Sequence, residues 1–311
     1  MKSAVVTGGA GFIGSHLVDA LLASGIAVSV IDNLTAGREA HLEAHAADPR
    51  FRLVAASVED APTIERVFLD ARPDVVFHLA ALHYIPACDE RPGEAVRTNV
   101  CGTQSIIDAA AAAGTRRIVF TSTADVYTPA ERPHVEEDDV TPFTVYGVTK
   151  LAAEQLLRAA YSRQRIPSIA VARLFNTYGS RETNPHVIPD IVRQLRHADR
   201  RVCLGNTWPK RDFVYVADVV AALRALATAE EPAILVNVAS GRSVSIDELA
   251  RAVARAAGVE ATIVADASRA RPVERAYLGA SIERARALLN WRPRFSLETG
   301  LQELMDGEVV A

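Results

Sequence analysis

The run Thr7-Gly8-Gly9-Ala10-Gly11-Phe12-Ile13-Gly14 constrains this chain more than any other feature. It follows a short apolar stretch at residues 4–7 and opens an amphipathic segment at 12–23. Gly9, Gly11 and Gly14 fit G-x-G-x-x-G, while Gly8, Gly11 and Gly14 fit the variant G-x-x-G-x-x-G. Strand, glycine turn and helix in that order aim backbone amides and a helix N-terminus at an anion, with no Cβ to hold it away. Alone the pattern is weak. Its position between a strand and a helix gives it meaning.

The rest of the first half repeats that rhythm. Apolar runs rich in Val and Ile fall at 4–7, 27–31, 51–54, 75–79, 117–121 and 169–173, and helical patterns at 12–23, 38–47, 61–70, 94–113 and 145–163. Short strands without polar alternation predict a parallel sheet covered by helices on both faces, the doubly wound α/β class. After residue 175 the pattern changes. Residues 176–189, rich in Asn, Pro, Gly and charge, predict an irregular segment over a ligand site. Helices are expected at 186–197, 217–227, 245–257 and 282–289, and strands at 201–204, 213–216 and 234–238, before a closing helix. The expected division is 1–175 with about 213–240 as a dinucleotide-binding domain, and 176–212 with 241–311 as a smaller interleaved substrate domain.

Composition narrows the function. With 311 residues, 49% of them hydrophobic, the chain is too apolar for disorder and long enough for one large domain or two small ones. No apolar run reaches the roughly 18 residues that a membrane span needs. A net charge of −4 gives no bulk attraction for nucleic acid, and the basic run from Arg193 to Arg201 reads as a solvated helix face. Cys88, Cys101 and Cys203 are odd in number and contain no Cys-x-x-Cys pair, which excludes a disulfide scaffold or zinc ribbon. His41 and His45 have i, i+4 spacing but no third ligand nearby, so no metal is expected. The N-terminal residues lack the pattern of a signal peptide, and the expectation is a soluble cytoplasmic protein with neither membrane nor nucleic-acid partners.

Two further features carry chemistry. Asp32 ends the second strand, where a carboxylate accepts the hydroxyls of an adenosine ribose and repels a 2′-phosphate. Asn33 rather than Arg follows it, so NAD is expected over NADP. Tyr146 and Lys150 are one helical turn apart on one face. A free tyrosine, with a pKa of about 10, is no base at neutral pH. A neighbouring ammonium and a positive nicotinamide are expected to lower it by about three pH units. Thr123, at the end of the fifth strand, is placed to share a substrate alcohol's proton with Tyr146. A module that only senses its ligand would have lost such residues; here all three stand.

TGGAGFIG, Asp32-Asn33, His78-Leu79-Ala80-Ala81, TSTADVY and YGVTK together resemble the extended short-chain dehydrogenases/reductases of the nucleotide-sugar epimerase and dehydratase family. The resemblance spans essentially the whole chain and implies a Rossmann-type fold. It also implies a bound NAD, contacted by Gly8, Gly11, Phe12, Ile13, Gly14, Asp32, Asn33, Ser57, Val58, Leu79, Ala80, Ala81, Tyr146 and Lys150. The implied substrate is a nucleotide sugar, UDP-linked. Asn176 and Arg211 sit in motifs similar to those that hold its diphosphate. Arg271-Pro272-Val273-Glu274 is similar to the family's Arg-Pro-Gly-Asp, in which the Arg reaches phosphate and the acid takes the nucleoside ribose. Val for Gly and Glu for Asp are departures. So are Thr128, where the family has Gly, and Ser57, where an Asp usually meets the adenine. Homodimerisation through the 94–113 and 145–163 helices is implied as well.

The residues after Thr123 separate the branches. In the resemblance, 4,6-dehydratases carry Asp then Glu there, and this chain has Ala124 and Asp125. UDP-glucuronate decarboxylases carry Thr-Ser-Glu, and Asp125 keeps a shorter carboxylate at that place. The 4-epimerases need only the Thr, Tyr and Lys, so C4 epimerisation of a UDP-hexose or UDP-hexuronate is the expected activity. Asp125 reads either as a substrate-facing acid or as a cap on the loop. Arg181 reads either as a partner for a glucuronate carboxylate or as a surface partner of Glu182 or Asp190. His83 reads as a hexose-facing or a packed loop residue. Trp208 and Pro209 read as a wall of the nucleotide pocket or as core.

Overall fold

A computed structural model describes residues 1–270 and 274–308. Seven strands form one parallel sheet: β1 (Ser3–Thr7), β2 (Ala27–Asp32), β3 (Phe51–Ala55), β4 (Val75–His78), β5 (Arg117–Thr123), β6 (Ile169–Leu174) and, much later in the chain, β10 (Ala233–Val238). Their order is β10-β6-β5-β4-β1-β2-β3. The order reverses between β1 and β4, so a crevice opens there at the carboxyl ends, where this architecture binds ligands. Alternate residues of each strand face opposite helix layers. Ala4 and Val6 meet α1 (Phe12–Ala23) and α8 (Val216–Thr228). Val5 meets α2 (Ala61–Ala71), α5 (Gly102–Ala112) and α6 (Val145–Ser162).

A smaller lobe stands over the crevice. Its core joins α7 (Val187–Leu195), α9 (Ile246–Ala256) and α11 (Leu297–Glu308) to β8 (Arg201–Leu204), β9 (Lys210–Tyr215) and β11 (Ser243–Ser245). β7 (Asn176–Tyr178) and β13 (Tyr277–Leu278) also pair with β9, and β12 (Thr262–Ala265) pairs with β8. α10 (Glu283–Leu289) and Trp291 return to the large core. No helix of the described residues is long and apolar enough to cross a membrane.

Departures from the expected elements have local causes. The helix expected at 38–47 is only a 3₁₀ turn, Glu39–His45, because its side chains are drawn to the glycine turn and α1. His41 donates to the Ala10 carbonyl at 3.0 Å and His45 meets Asp19 at 2.7 Å. The helix expected at 94–113 is α4 (Pro92–Val96), a π turn over Arg97–Cys101 and α5. That π turn carries Asn99 into the core. Its amide accepts from Leu82 N (2.8 Å) and donates to Leu82 O (2.9 Å) and Thr149 Oγ1 (3.0 Å), which pins the loop after β4. π turns of this kind recur at functional sites. The short α3 (Ile85–Glu90) and the strands of two or three residues left no periodicity to find.

α6 begins at Thr144, whose hydroxyl accepts from Gly147 N at 3.0 Å. Two turns on, buried Glu154 accepts from Arg173 Nε and Nη2 at 3.0 and 2.8 Å and from the Ser122 hydroxyl at 2.5 Å. This forked pair ties α6 to β5 and β6, and Arg173 lies over the Tyr127 ring at 4.7 Å. Breaking a buried pair from one side leaves a bare charge. Glu154→Ala is therefore expected to lower stability by about 3–5 kcal/mol, whereas a Glu154→Met/Arg173→Met double variant should lose clearly less. Thermal and urea unfolding of the three proteins check this.

Candidate active site

The crevice and the smaller lobe enclose a cavity of about 730 Å³, within the size of a small-molecule site. Its floor is the glycine turn. Gly8 has φ +71°, and a Cβ there would lie 2.8 Å from Ala80 N; one at Gly14 would lie 2.0 Å from Gly8 O. Only glycine permits this fold of the turn onto itself. Gly8, Gly11, Phe12, Ile13 and Gly14 all line the cavity. Asp32 accepts from Ala10 N and Leu34 N, each at 2.9 Å, so it orients the turn while lining the site beside exposed Asn33. Gly37, unremarked in the sequence, is needed because a Cβ there would sit 2.9 Å from Asp32 Oδ1.

Val58, Leu79, Ala80 and Ala81 form a further wall. Ser57 does not line it. In the turn after β3 its neighbours Ala56 and Val58 face the cavity, and its own hydroxyl accepts from Glu59 N at 3.2 Å. His78 lies beneath this wall, bonded to Thr7 at 2.7 Å and Thr103 at 2.9 Å. Because the Thr103 hydroxyl donates to Asn99 O, it accepts from His78 Nε2, which leaves Nδ1 to accept from Thr7. Burial, with a lesser push from Lys150, holds this imidazole down to about 3, so it is neutral.

Thr123, Asp125, Tyr146 and Lys150 line the cavity together at the ends of β5 and α6. The Thr123 hydroxyl caps the turn Ala124–Val126, accepting from Asp125 N at 3.2 Å, and hydrogen-bonds the Tyr146 phenol. A correction concerns Tyr146. Burial pushes its pKa up, the Asp125 carboxylate and Cys88 push the same way, and only the Thr123 hydrogen bond draws it down. The protein by itself does not activate the phenol. Lys150 is almost wholly buried, with its ammonium 4.1 Å from the centre of the Phe120 ring. Burial brings it down to about 7, against the pull of Glu154.

The small lobe contributes Asn176 on β7, and Arg211 and Glu274, which form an ion pair at 2.5 Å across the cavity wall. Arg271 lies outside the described residues. Arg181 lines the cavity at φ +65° but pairs with Asp19 of α1 at 2.8 Å, not with Glu182 or Asp190. Its guanidinium is anchored to the large domain because Asp190 already serves Arg193 and Arg269. His83 lines the cavity, its Nε2 accepting from the Asn184 amide at 3.0 Å, while Glu182 accepts from His186 at 3.2 Å. Burial lowers the His83 pKa. Pro209 lines the site, whereas Trp208 is exposed on its outer side.

A glycine cradle at the switch point of a doubly wound sheet, with Thr, Tyr and Lys at its mouth, defines a short-chain dehydrogenase/reductase-type nucleotide-binding enzyme. The chain matches the GDP-mannose 4,6-dehydratase family over residues 5–304 and belongs to that family. A UDP-glucose 4-epimerase of Mycolicibacterium smegmatis is 32% identical over 97% of each chain. UDP-glucuronic acid decarboxylase 2 of Arabidopsis thaliana is 32% identical over 96% of this chain and 66% of its own length. Among solved structures, UDP-glucose 4-epimerase of Thermotoga maritima with UDP-glucose has a TM-score of 0.90, 28% identity, and coverage of 99% of this chain and 100% of its own. MoeE5 with UDP-glucuronic acid and NAD has a TM-score of 0.88, 29% identity, and 99% coverage of each.

The folded protein disfavours the Lys150 ammonium, so its destabilising effect is full below about pH 7 and fades as pH rises towards the free value of 10.5. The stability advantage of Lys150→Met over the parent is expected to be larger near pH 6 than near pH 9. Urea unfolding at both pH values checks the sign.

Proposed function

We propose that this protein is an NAD-dependent nucleotide-sugar 4-epimerase, acting on a UDP-hexose or UDP-hexuronate through a transient 4-keto sugar. The observation that carries the reading is the convergence of Thr123, Tyr146 and Lys150 on a cavity floored by the glycine cradle. The cradle suits a dinucleotide: its glycines leave no Cβ between backbone amides and a pyrophosphate, and Asp32 ends β2 beside it. When bound, NAD supplies the hydride acceptor and a positive charge that opposes the rise in the Tyr146 pKa.

The chain's own residues then handle the proton. Tyr146, as phenolate, takes it from the sugar's 4-hydroxyl, with the Thr123 hydroxyl bridging the two oxygens. Lys150, brought down to about 7 by burial, carries only part of its positive charge near neutral pH, and a phenolate one turn away on α6 would favour its charged form. After the keto sugar turns over in the cavity, its other C4 face would be presented to the hydride that the cofactor returns, and Tyr146 gives the proton back to the 4-oxygen. Asn176, Arg211 and Arg271 are assigned to the diphosphate and Glu274 to the nucleoside ribose, within a substrate domain of 176–212 and 241–311. In this reading Arg211 exchanges part of its bond with Glu274 for phosphate oxygens. Gly8, Gly11, Phe12, Ile13, Gly14, Asp32, Asn33, Val58 and Leu79–Ala81 are assigned to NAD. His83, Asp125 and Arg181 border the sugar.

Dehydration lacks its acid, since the residue after Thr123 is Ala124, a buried methyl packed with Val126 and Phe175. Decarboxylation of a UDP-glucuronate is the second reading, favoured by the Asp125 carboxylate beside Tyr146 and by the decarboxylase relatives. Exposed Val96 and Val148, on α4 and α6, support a homodimer joined through these helices. All three cysteines are free, which suits a cytoplasmic setting.

Proton NMR of the protein incubated separately with UDP-glucose, UDP-glucuronate and dTDP-glucose tests the reading. Interconversion at C4 without added reductant is expected; release of carbon dioxide or a 6-deoxy-4-keto product overturns it. Tyr146→Phe is expected to lose about 10²–10⁴-fold in turnover while still binding NAD, and unchanged turnover would remove Tyr146 from the mechanism.

A further inference from the structure

The segment from Gly179 to His186, between β7 and α7, belongs to the small lobe but is tied to the large domain along its length. Its residues 179–182 and 184–186 line the cavity. Ser180 O accepts from His16 Nε2 at 3.0 Å, and Arg181 Nη1 meets Asp19 Oδ2 at 2.8 Å. The Thr183 hydroxyl donates to Ala36 O at 3.2 Å, and the Asn184 amide donates to His83 Nε2 at 3.0 Å. His16 and Asp19 lie on α1, Ala36 in the loop after β2, and His83 in the loop after β4. Each of these pieces also meets the glycine turn. α1 grows out of it, Gly37 stands against Ala10, and Ala80 stands against Gly8. The segment therefore spans the cradle from side to side.

Its shape is held from within. Glu182, its side chain only 6% exposed, accepts from Asn184 N at 2.9 Å and from His186 at 3.2 Å, which folds residues 182–186 into one stiff turn. At the root, a Cβ on Gly179 would run into Val216 Cγ1, so the chain presses onto the start of α8. Arg181 has φ +65°, a left-handed conformation that a residue with a Cβ rarely adopts. Such strain persists only where surrounding contacts over-determine it, and the Asp19 pair is that contact. Each of the four ties runs through a side chain. The segment can therefore lift as a unit without unfolding either lobe.

We propose that residues 179–186 are a strap that keeps the dinucleotide in its cradle, with the Arg181–Asp19 pair as its latch, so that NAD is released only when the strap lifts. This rests on the assignment of the glycine cradle to NAD. The chemistry calls for such a device. In a C4 epimerisation the nucleotide sugar is exchanged at every turnover, whereas the hydride has to go back to the sugar it came from. A reduced dinucleotide that left early would strand a 4-keto sugar beside an empty cradle. The latch closes on α1 two turns beyond its N-terminus, on the same helix whose first amides face the pyrophosphate. Its two side chains are 30% and 35% exposed, so the pair alone slows release only a few-fold, and the other ties add to it.

The test reads cofactor release directly, so it does not depend on which reaction is catalysed. The protein is loaded with radiolabelled NAD and chased with excess unlabelled NAD, and bound label is followed by rapid filtration. Asp19→Asn and Arg181→Gln are each expected to speed release about threefold to fivefold, and the double variant no more than either alone. His45→Gln removes the other partner of Asp19 but leaves the strap alone, and should not change the rate. Adding His16→Ala and Thr183→Val to Arg181→Gln should carry the acceleration beyond about tenfold. Should that combination fold poorly, Thr183→Val alone, which removes one loop tie, is expected to give about a twofold acceleration. Unchanged release in both Asp19→Asn and Arg181→Gln overturns the proposal. Faster release in Arg181→Gln but not in Asp19→Asn also overturns it, since Arg181 would then hold the dinucleotide directly. A parent protein that takes up no NAD overturns the strap together with the assignment of the cradle. Retention of NAD by a parent that shows no C4 interconversion removes the epimerase reading and leaves the strap standing.

Discussion

Beneath the site, one carboxylate sits between two buried cations. Glu154 forks onto Arg173 and also stabilises the charge of Lys150 one turn earlier in α6. Burying three charges in a sheet–helix interface is tolerable only when they neutralise one another and their remaining donors and acceptors are met. The arrangement fixes more than stability. It locks the rotation of α6 against β5 and β6, and that rotation puts Tyr146 beside Thr123. Because a single carboxylate is shared, Lys150 is left under-compensated, and its ammonium is lost near neutral pH, well below the range of a free lysine. Stability is taken by Arg173 and lability is left to Lys150.

The glycine turn works by a different principle, steric exclusion. Gly14 lies so close to Gly8 O that no side chain fits, and the loop after β4 is pressed onto Gly8 from the other side. Thr7, His78, Thr103 and Asn99 form a chain of satisfied hydrogen bonds that clamps this loop from below, ending on Leu82. The floor of the cavity is thus rigid backbone. Its roof is made of side-chain pairs across the two lobes, such as Arg181 with Asp19 and His83 with Asn184, which exchange with solvent far more readily.

That contrast explains what the sequence made legible. The sheet was readable because each strand is a continuous apolar run and each helix an amphipathic one, and the glycine turn because steric exclusion leaves a residue-type signature. Thr123, Tyr146 and Lys150 were readable because they sit on regular elements at fixed spacing. The roof was not. Arg181 found Asp19, far away in sequence, instead of either acid beside it, since loop residues choose partners by where the lobes meet. Ser57 turned away from the cavity for want of one residue's rotation in an irregular turn. Asn99 and Gly37 carried no pattern at all; their roles arise from a π turn and from a neighbouring carboxylate, neither of which composition encodes.

The pKa of Tyr146 shows the same limit at the level of electrostatics. A lysine one turn away suggests a lowered phenol, and spacing alone supports that. In the folded protein the outcome is decided by desolvation and by a carboxylate from another element, and both act in the opposite direction. Lys150, half spent on Glu154 and itself disfavoured by burial, does not offset them. In the proposed mechanism, a site built this way would keep Tyr146 protonated until positive charge arrives with the cofactor, so that the base would form only where a hydride acceptor is also present. The opposition between Asp125 and Tyr146 is therefore compatible with catalysis, because it ties deprotonation to occupancy of the dinucleotide cradle.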